Sequence, residues 1–411
     1  MKIRIKKRIE LQHIWMWLGL FCVVSFALLE HVSVSIPAFS AVKMPLMYVG
    51  GICVIFQMNE LLSNIRKKRY FYIFLLLLLM FVFLLISMFH NRNTISGFAL
   101  ERTTVRLILY LLELFGLMLV FAENGKSSAA IKLIYYYVLI LVVLTDVLMF
   151  SGLVRFGSEN NPNYLIGTKF SVVYMHLNLV ALWLVQQWRQ HGINRIKKWL
   201  IWGTAIILVL VAIGVNCMSG VLGACFFAIM LVGTITGKRI ARLLTSPSFF
   251  VICVLICTVI VFVISFFLNI PFIKNFIENV LDRSTTLTGR TDIYLNYADA
   301  MRNNWLLGYG YGSGNAVSLR FFHLANAQNA VLHWILQGGL IVSALLISLF
   351  AMVINQVNEY RKTRKMLLEP VIALVYTYVL LGTVETTYSM SFILWIALMF
   401  MVVNDKTNRD S

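Results

Sequence analysis

The chain has 411 residues, 60% hydrophobic and only 13% charged, with a mean hydropathy of +0.82. Soluble domains carry about 25% charged residues, so an ordinary globular enzyme is excluded and an integral membrane protein is indicated. The net charge of +18 would suit nucleic acid by sign alone, but the basic residues lie in short segments between apolar runs, where they set membrane orientation, and no nucleic-acid partner is expected.

Twelve apolar stretches follow one another along the chain: Ile14–Leu29, Met44–Leu62, Phe71–Phe89, Leu107–Phe121, Ile131–Met149, Phe170–Gln186, Trp199–Val215, Gly220–Thr236, Phe250–Leu268, Ala330–Ile354, Leu367–Thr383 and Phe392–Val403. Phe71–Phe89 and Phe250–Leu268 each run 19 residues without a charged side chain. At about 1.5 Å per residue, each is long enough to cross a hydrocarbon core of about 30 Å. The predicted fold class is therefore an all-α polytopic membrane protein of about twelve transmembrane helices, one integral membrane domain over residues 1–411. The basic start resembles a signal peptide, but its apolar run is longer than a usual one and no small-residue cleavage site follows directly, so a retained first span is expected.

With the N-terminus placed inside, the cytoplasmic segments hold 24 of the 35 Lys and Arg residues and the external segments 11. The densest clusters, Lys2 to Arg8, Arg66 to Arg69, Arg189 to Lys198 and Arg361 to Lys365, all fall on the inner side. This positive-inside pattern puts both termini in the cytoplasm. The 6 cysteines lie in or beside the spans and form no CxxC pair, so they read as small core residues rather than metal ligands or a disulfide frame. No metal or other cofactor is expected.

Most connections are short. The exception is residues 269–328, a long external loop rich in aromatic and basic groups, and loops of that length are usually functional. Within it, Thr291–Leu307 has helical periodicity: Tyr294, Tyr297, Ala298, Met301 and Trp305 would share one apolar face, with Thr291 as N-cap and Gly308 as the stop. Arg290 would then stand at the helix N-terminus, where a guanidinium and free backbone N–H groups suit a phosphate or diphosphate. An amphipathic helix lying on the bilayer, with Arg290 meeting lipid phosphates, explains the same spacing equally well. Gly308, Gly310, Gly312 and Gly314 alternate with Tyr309, Tyr311 and Ser313, a pattern for close backbone approach to a ligand or for a flexible turn.

Arg102 and Arg106, four residues apart, share a helix face at the outer edge of the fourth span, where Glu101 is placed to offset one of them. They read as interfacial anchors or, together with Arg290 and Lys169, as the wall of a basic outer cavity for an anionic lipid-linked substrate. The ionisable residues within or at the edge of spans, Glu60, Glu113, Asp146, His176 and Glu385, are functional candidates by position.

The segment Leu287 to Gly339 resembles the C-terminal signature of the superfamily of Wzy-type polysaccharide polymerases and O-antigen ligases. In that family a Gly-Arg pair opens an external helix, and a Trp follows some fifteen residues on. A Gly-x-Gly turn comes next, then a His-Asn pair leading into a span with Gly-Gly. Here these are Gly289-Arg290, Trp305, Gly308-Tyr309-Gly310, Gln328-Asn329 and Gly338-Gly339. Tyr164 to Phe170, which includes Lys169, is similar to the stretch that opens a span in many polymerases of this group. The chain departs from the pattern at Gln328, which stands where the family has histidine. Glutamine forms hydrogen bonds but does not act as a base at neutral pH.

The resemblance implies a GT-C-like glycosyltransferase of the bacterial plasma membrane, polymerising undecaprenyl-diphosphate-linked oligosaccharide repeat units at the outer face. A ligase of the same superfamily and a polytopic transporter or flippase are the alternatives. It further implies Arg290 and His323 as catalytic candidates, with Glu385 as another possible base. Arg102, Arg106, Lys169, Trp305, Tyr309, Tyr311, Gln328 and Asn329 become substrate contacts. Membrane lipid, and a flippase and a chain-length regulator of the same pathway, are the implied partners.

Overall fold

A computed structural model of the protein describes residues 2–94, 99–151, 156–158, 161–191, 196–268, 270, 290–363 and 368–408. Side chains are described within these ranges except at 2–10, 156–158, 161–162, 189–191, 196–198, 265–268, 290–292, 363 and 408. The chain is almost wholly helical, as an apolar polypeptide in lipid must be if every backbone N–H and C=O is to find a partner. In order come α1 (Lys2–Ser35), α2 (Phe39–Phe56), α3 (Met58–Ile65), α4 (Lys68–His90), α5 (Leu100–Glu123) and α6 (Ser127–Ser151). A short antiparallel ribbon, β1 (Phe156–Ser158) with β2 (Asn161–Asn163), follows. Then come α7 (Lys169–His191), α8 (Ile196–Gly214), α9 (Met218–Thr236), α10 (Lys238–Leu244) and α11 (Pro247–Leu268). The last five are α12 (Arg290–Met301), α13 (Gly314–Phe322), α14 (Ala330–Thr363), α15 (Glu369–Leu381) and α16 (Met390–Val403).

Among the described residues, 9 helices are long and apolar enough to cross a membrane: α1, α2, α4, α5, α6, α7, α9, α11 and α14. Three shorter apolar helices, Trp199–Gly214 within α8, α15 and α16, fall on the other expected stretches. The protein is an all-α polytopic membrane protein.

Two local expectations fail. The second stretch, Met44–Leu62, is not one helix: Gln57 (φ −97°, ψ 3°) breaks it between α2 and α3. Gln57 is 2% exposed, and its Nε2 donates to the Gln12 carbonyl at 2.7 Å, so a tertiary hydrogen bond accompanies the break. The helix expected over Thr291–Leu307 is shorter than predicted, ending at Met301 with a run of turns from 302 to 309. Its buried face is Ile293, Tyr294, Tyr297, Ala300 and Met301, while Ala298 is exposed. That face packs on protein: Tyr294 and Tyr297 meet the Phe262 ring of α11 edge-on, and Tyr297 donates to the Leu332 carbonyl of α14 at 2.6 Å.

At the centre stand α15 and α16. Only Leu380 of α15 is exposed, and every residue of α16 is buried. With 13 and 14 residues they span about 20 Å, too short for a lipid-facing crossing of about 30 Å. Enclosed by α1, α5, α7, α9, α11 and α14, they meet protein instead of lipid. The opposite pattern appears on α6, α8, α9 and α11, where Ile140, Val147, Ile206, Leu210, Leu222 and Ile256 are exposed, as lipid-facing side chains are.

The bundle has two distinguishable ends. One gathers α3, α10 and the 404–408 turn with much of the basic sequence. The other, the loop end, carries α12, α13 and the glycine-rich turn between them. That turn is locked into α14 at a kink, where Gly339 takes φ 70°, ψ −176°. The kink leaves backbone groups without helical partners, and the turn supplies them. Tyr309 N–H donates to the Leu336 carbonyl at 2.9 Å, and Leu340 N–H donates to the Trp305 carbonyl at 2.8 Å. Both strands of the contact need glycine: a Cβ on Gly339 would lie 2.1 Å from the Leu306 oxygen, and one on Gly308 2.5 Å from the Gly339 nitrogen.

Candidate functional site

Beneath the glycine-rich turn lies a cavity of about 160 Å³, lined by Phe26 and Glu30 of α1, Lys43 of α2, Thr103 and Arg106 of α5, Tyr311 and Gly312 of the turn, Gln337 of α14 and Met390 of α16. Three glycines of the turn, Gly308, Gly310 and Gly312, take φ of 62°, 93° and 92°, which explains the alternation in sequence. Gly314 does not; it is the first residue of α13, with the His333 ring where a Cβ would go. The turn is ordered by side chains from α5, from α14 and from Asn91, the residue that caps the end of α4. Asn91 Nδ2 donates to the Gly308 carbonyl at 3.0 Å and Thr103 Oγ1 to the Tyr311 carbonyl at 2.7 Å, while Gln337 Oε1 accepts from Gly312 N–H at 2.7 Å. A fixed roof therefore covers the cavity, and it is not a loose loop.

The cavity walls hold two cations and one carboxylate, and among the described residues Glu30 forms no ion pair with Lys43 or Arg106. Arg106 Nε is sealed from solvent and has no hydrogen-bond partner. A buried donor left unsatisfied costs about 1–3 kcal/mol, more if charged. The Tyr311 phenol packs 5.5 Å from the Trp334 ring, and burial, then the Glu30 carboxylate, push its pKa well above the ordinary range, with Arg106 pulling weakly the other way. Tyr311 is thus a neutral hydrogen-bond donor. One turn before Gln337, His333 packs under Gly314 with a buried, unpartnered Nδ1. Behind the wall, His31 bridges Ser171 Oγ at 3.2 Å and Ser391 Oγ at 3.3 Å, tying the starts of α7 and α16 to α1.

Of the residues singled out from sequence, Arg106 and Tyr311 line this cavity. Arg102 lies one turn away on α5 and is exposed. Glu101 does not offset it; Glu101 pairs with Arg92 at 2.8 Å. Lys169 opens α7 with its ammonium 5.7 Å above the Phe170 ring, outside the cavity wall. Trp305 is 36% exposed and meets Tyr297 edge-on, outside the helix on which it was expected. Tyr309 is buried and donates to the Ala300 carbonyl at 2.5 Å, so its hydroxyl ties α12 to the turn. Asn329 is 1% exposed and its amide is fully engaged. Oδ1 accepts from Val331 and Leu332 N–H, and Nδ2 reaches the Cys257 and Thr383 carbonyls. This is helix capping at the start of α14, which replaces the expected sugar contact.

Gln328 takes φ 50° with its carbonyl accepting from Tyr294 Oη at 3.0 Å. His323 ends α13 in the left-handed region (φ 56°) and is exposed, away from the cavity. Glu385 lies in the 382–389 connection between α15 and α16. Arg290 begins α12, but its side chain, like Gly289, Lys274 and Arg283, lies outside the described residues. Of the remaining membrane-edge ionisables, Asp146 meets His176 at 3.2 Å, Glu60 accepts from Asn124 at 2.6 Å, and Glu113, whose buried Oε1 has no hydrogen-bond partner among the described residues, abuts Gly50 and Gly51.

Sequence reasoning missed Glu30, Lys43, Thr103 and Gln337. A signal existed for Lys43, the lone Lys or Arg between the first two apolar stretches, and for Glu30, the first charge after a run that ends at Leu29. Thr103 and Gln337 are ordinary polar residues until the fold brings them together. Among the described residues no group of three His, Cys, Asp or Glu side chains is placed to hold a metal ion.

Comparison with known proteins adds no assignment. No protein-family model, no curated protein and no solved structure matches the chain.

Proposed function

We propose that this protein is a glycosyltransferase of the bacterial plasma membrane that polymerises undecaprenyl-diphosphate-linked oligosaccharide repeat units at the outer face. The observation that carries the reading is Arg106, which lines a small cavity beside Lys43 under a fixed backbone roof and whose buried Nε has no hydrogen-bond partner among the described residues. A guanidinium and an ammonium converging on one void suit a phosphate or diphosphate group. At about 160 Å³ the cavity is smaller than the roughly 300–1,000 Å³ of a drug-sized ligand site. It therefore suits a headgroup fragment, with the lipid tail and the rest of the glycan outside. The inside excess of basic residues puts the loop end on the outer face, and the resemblance of residues 287–339 supplies the reaction class.

The chemistry follows from the substrate. The anomeric carbon already bears a diphosphate leaving group, so catalysis rests chiefly on cations placed where negative charge accumulates. Arg106 and Lys43 take that role. Tyr311 and Gln337 offer hydrogen bonds to sugar hydroxyls from the roof and the far wall. Arg290 is a second anion-binding candidate on sequence grounds. The test is reconstitution: purified protein, synthetic lipid-diphosphate repeat units and no nucleotide. A ladder of products is expected. Wild-type protein that binds the units and yields no longer species would overturn the reading. Arg290→Ala in the same assay tests that candidate, which predicts loss of long products at normal protein level.

A further inference from the structure

The cavity that holds two cations also holds one acid, and that acid is not spent on them. Glu30 lies near the loop end of α1, partly buried, and lines the cavity with Phe26 and Lys43, whose ammonium stands 5.8 Å over the Phe26 ring. Among the described residues its carboxylate has no hydrogen-bond or ion-pair partner, and its oxygens are not among the atoms sealed from solvent. Carboxylates placed to neutralise neighbouring cations in this protein do contact them, as Glu101 does Arg92 at 2.8 Å and Glu123 does Lys67 at 2.7 Å. The charged and titratable groups facing Glu30 are His31 from α1, Lys43 from α2, Tyr110 and Arg106 from α5 and Tyr311 from the turn, while α14 and α16 present only Gln337 and Met390 to the cavity.

From this juxtaposition we infer that Glu30 is the catalytic base that takes the proton of the acceptor hydroxyl, an inference that rests on the transferase reading above. In the step, the acceptor O–H bond breaks and its proton passes to a Glu30 oxygen. The freed electron pair forms the new bond from the acceptor oxygen to the anomeric carbon. The bond from that carbon to the diphosphate oxygen breaks, its electron pair leaves with the diphosphate, and Arg106 and Lys43 hold the resulting charge. Glu30 then gives its proton to water. The competing groups are less well placed. His323 is exposed at the end of α13, Glu113 is packed against Gly50 and Gly51, and the Tyr311 phenol is held neutral. The Thr103 hydroxyl is committed as a donor to the Tyr311 carbonyl.

The experiment uses the full chain in lipid nanodiscs with a synthetic undecaprenyl-diphosphate repeat unit, measuring affinity and kcat separately. Removing a general base costs about a hundredfold or more in rate, so Glu30→Gln should lose that much kcat while affinity stays within about threefold. Glu30→Asp should recover part of the rate. Near-normal kcat in Glu30→Gln would overturn the assignment. Equal losses of affinity and rate without recovery by Asp would also do so, and would identify a charge-balancing group. Should Glu30→Gln fail to fold by its thermal transition, Glu30→Asp decides: reduced kcat at retained affinity supports the base, and full activity refutes it. A wild-type protein that makes no product fails at the earlier step and removes the transferase reading together with its base.

Discussion

The basic end of the bundle and the cavity under the glycine-rich turn treat charge in opposite ways, although the loop end also carries a surface pair, Arg92 with Glu101. At the basic end, Lys67 and Tyr70 both reach Glu123, at 2.7 and 2.5 Å. Arg69 donates to the Val403 carbonyl, Arg361 to that of Lys238, and Asp405 accepts from Ser127 N–H. At the loop end, Glu30, Lys43 and Arg106 face a common void without pairing. Folding tends to satisfy charged groups in pairs, since an unpaired buried charge is costly. Charges held apart around a cavity therefore mark the region where selection acts on something other than stability. Polar pairing elsewhere, as at Asp146 and His176, belongs with the structural set.

The largest effect should come from breaking the frame that holds the loop-end charges apart. Gly339→Ala places a Cβ 2.1 Å from the Leu306 oxygen on a residue with φ 70°, so the turn and the kink cannot both persist. Strain of that kind costs about 3 kcal/mol or more. The variant is expected to lose the monodisperse species in size-exclusion chromatography, and a normal elution profile and thermal transition would show that the turn is not anchored there.

Next comes the contrast itself. Arg106→Ala should lower product formation about a hundredfold to a thousandfold with the thermal transition nearly unchanged, and Arg106→Lys should restore only part, because an ammonium lacks the guanidinium fork. Equal activity of the three proteins in the lipid-diphosphate assay would remove the cavity from the chemistry.

A smaller effect separates capping from binding. Asn329→Ala should destabilise the protein by about 1–2 kcal/mol through the lost cap of α14 and leave KM for the lipid-linked unit unchanged. A raised KM at unchanged stability would return Asn329 to the substrate. The smallest effect belongs to the basic end: Lys67→Ala removes a partly exposed pair worth about 1 kcal/mol or less and should not alter kcat. A large loss of activity there would dissolve the distinction between the ends.

Much of the architecture was legible in the sequence, because spans announce themselves through runs that only lipid or a protein core tolerates. The kind of each long element followed from residue type alone, whereas the glycine alternation left open a flexible turn, and only the fold shows Gly308, Gly310 and Gly312 held at positive φ. What could not be read was anything decided by a partner distant in sequence. The break at Gln57 coincides with a hydrogen bond to Gln12, and α12 stops at Met301 where the following carbonyls, those of Trp305 and Leu306, are claimed by the kink in α14. The candidate site was legible only at Arg106 and Tyr311. Glu30, Lys43, Thr103 and Gln337 come from α1, α2, α5 and α14, and no local pattern links them.

The enclosure of α15 and α16 by earlier segments has a consequence for biogenesis. These two helices are translated after every helix that surrounds them, yet they occupy the axis of the bundle. Chains emerge and fold from the N-terminus onward. The six helices that enclose them must therefore wait as an open, unfinished collar in the bilayer until the hub arrives. A ribosome stalled before residue 369 would leave a collar with its inner faces bared to lipid, a natural target for membrane quality-control proteases.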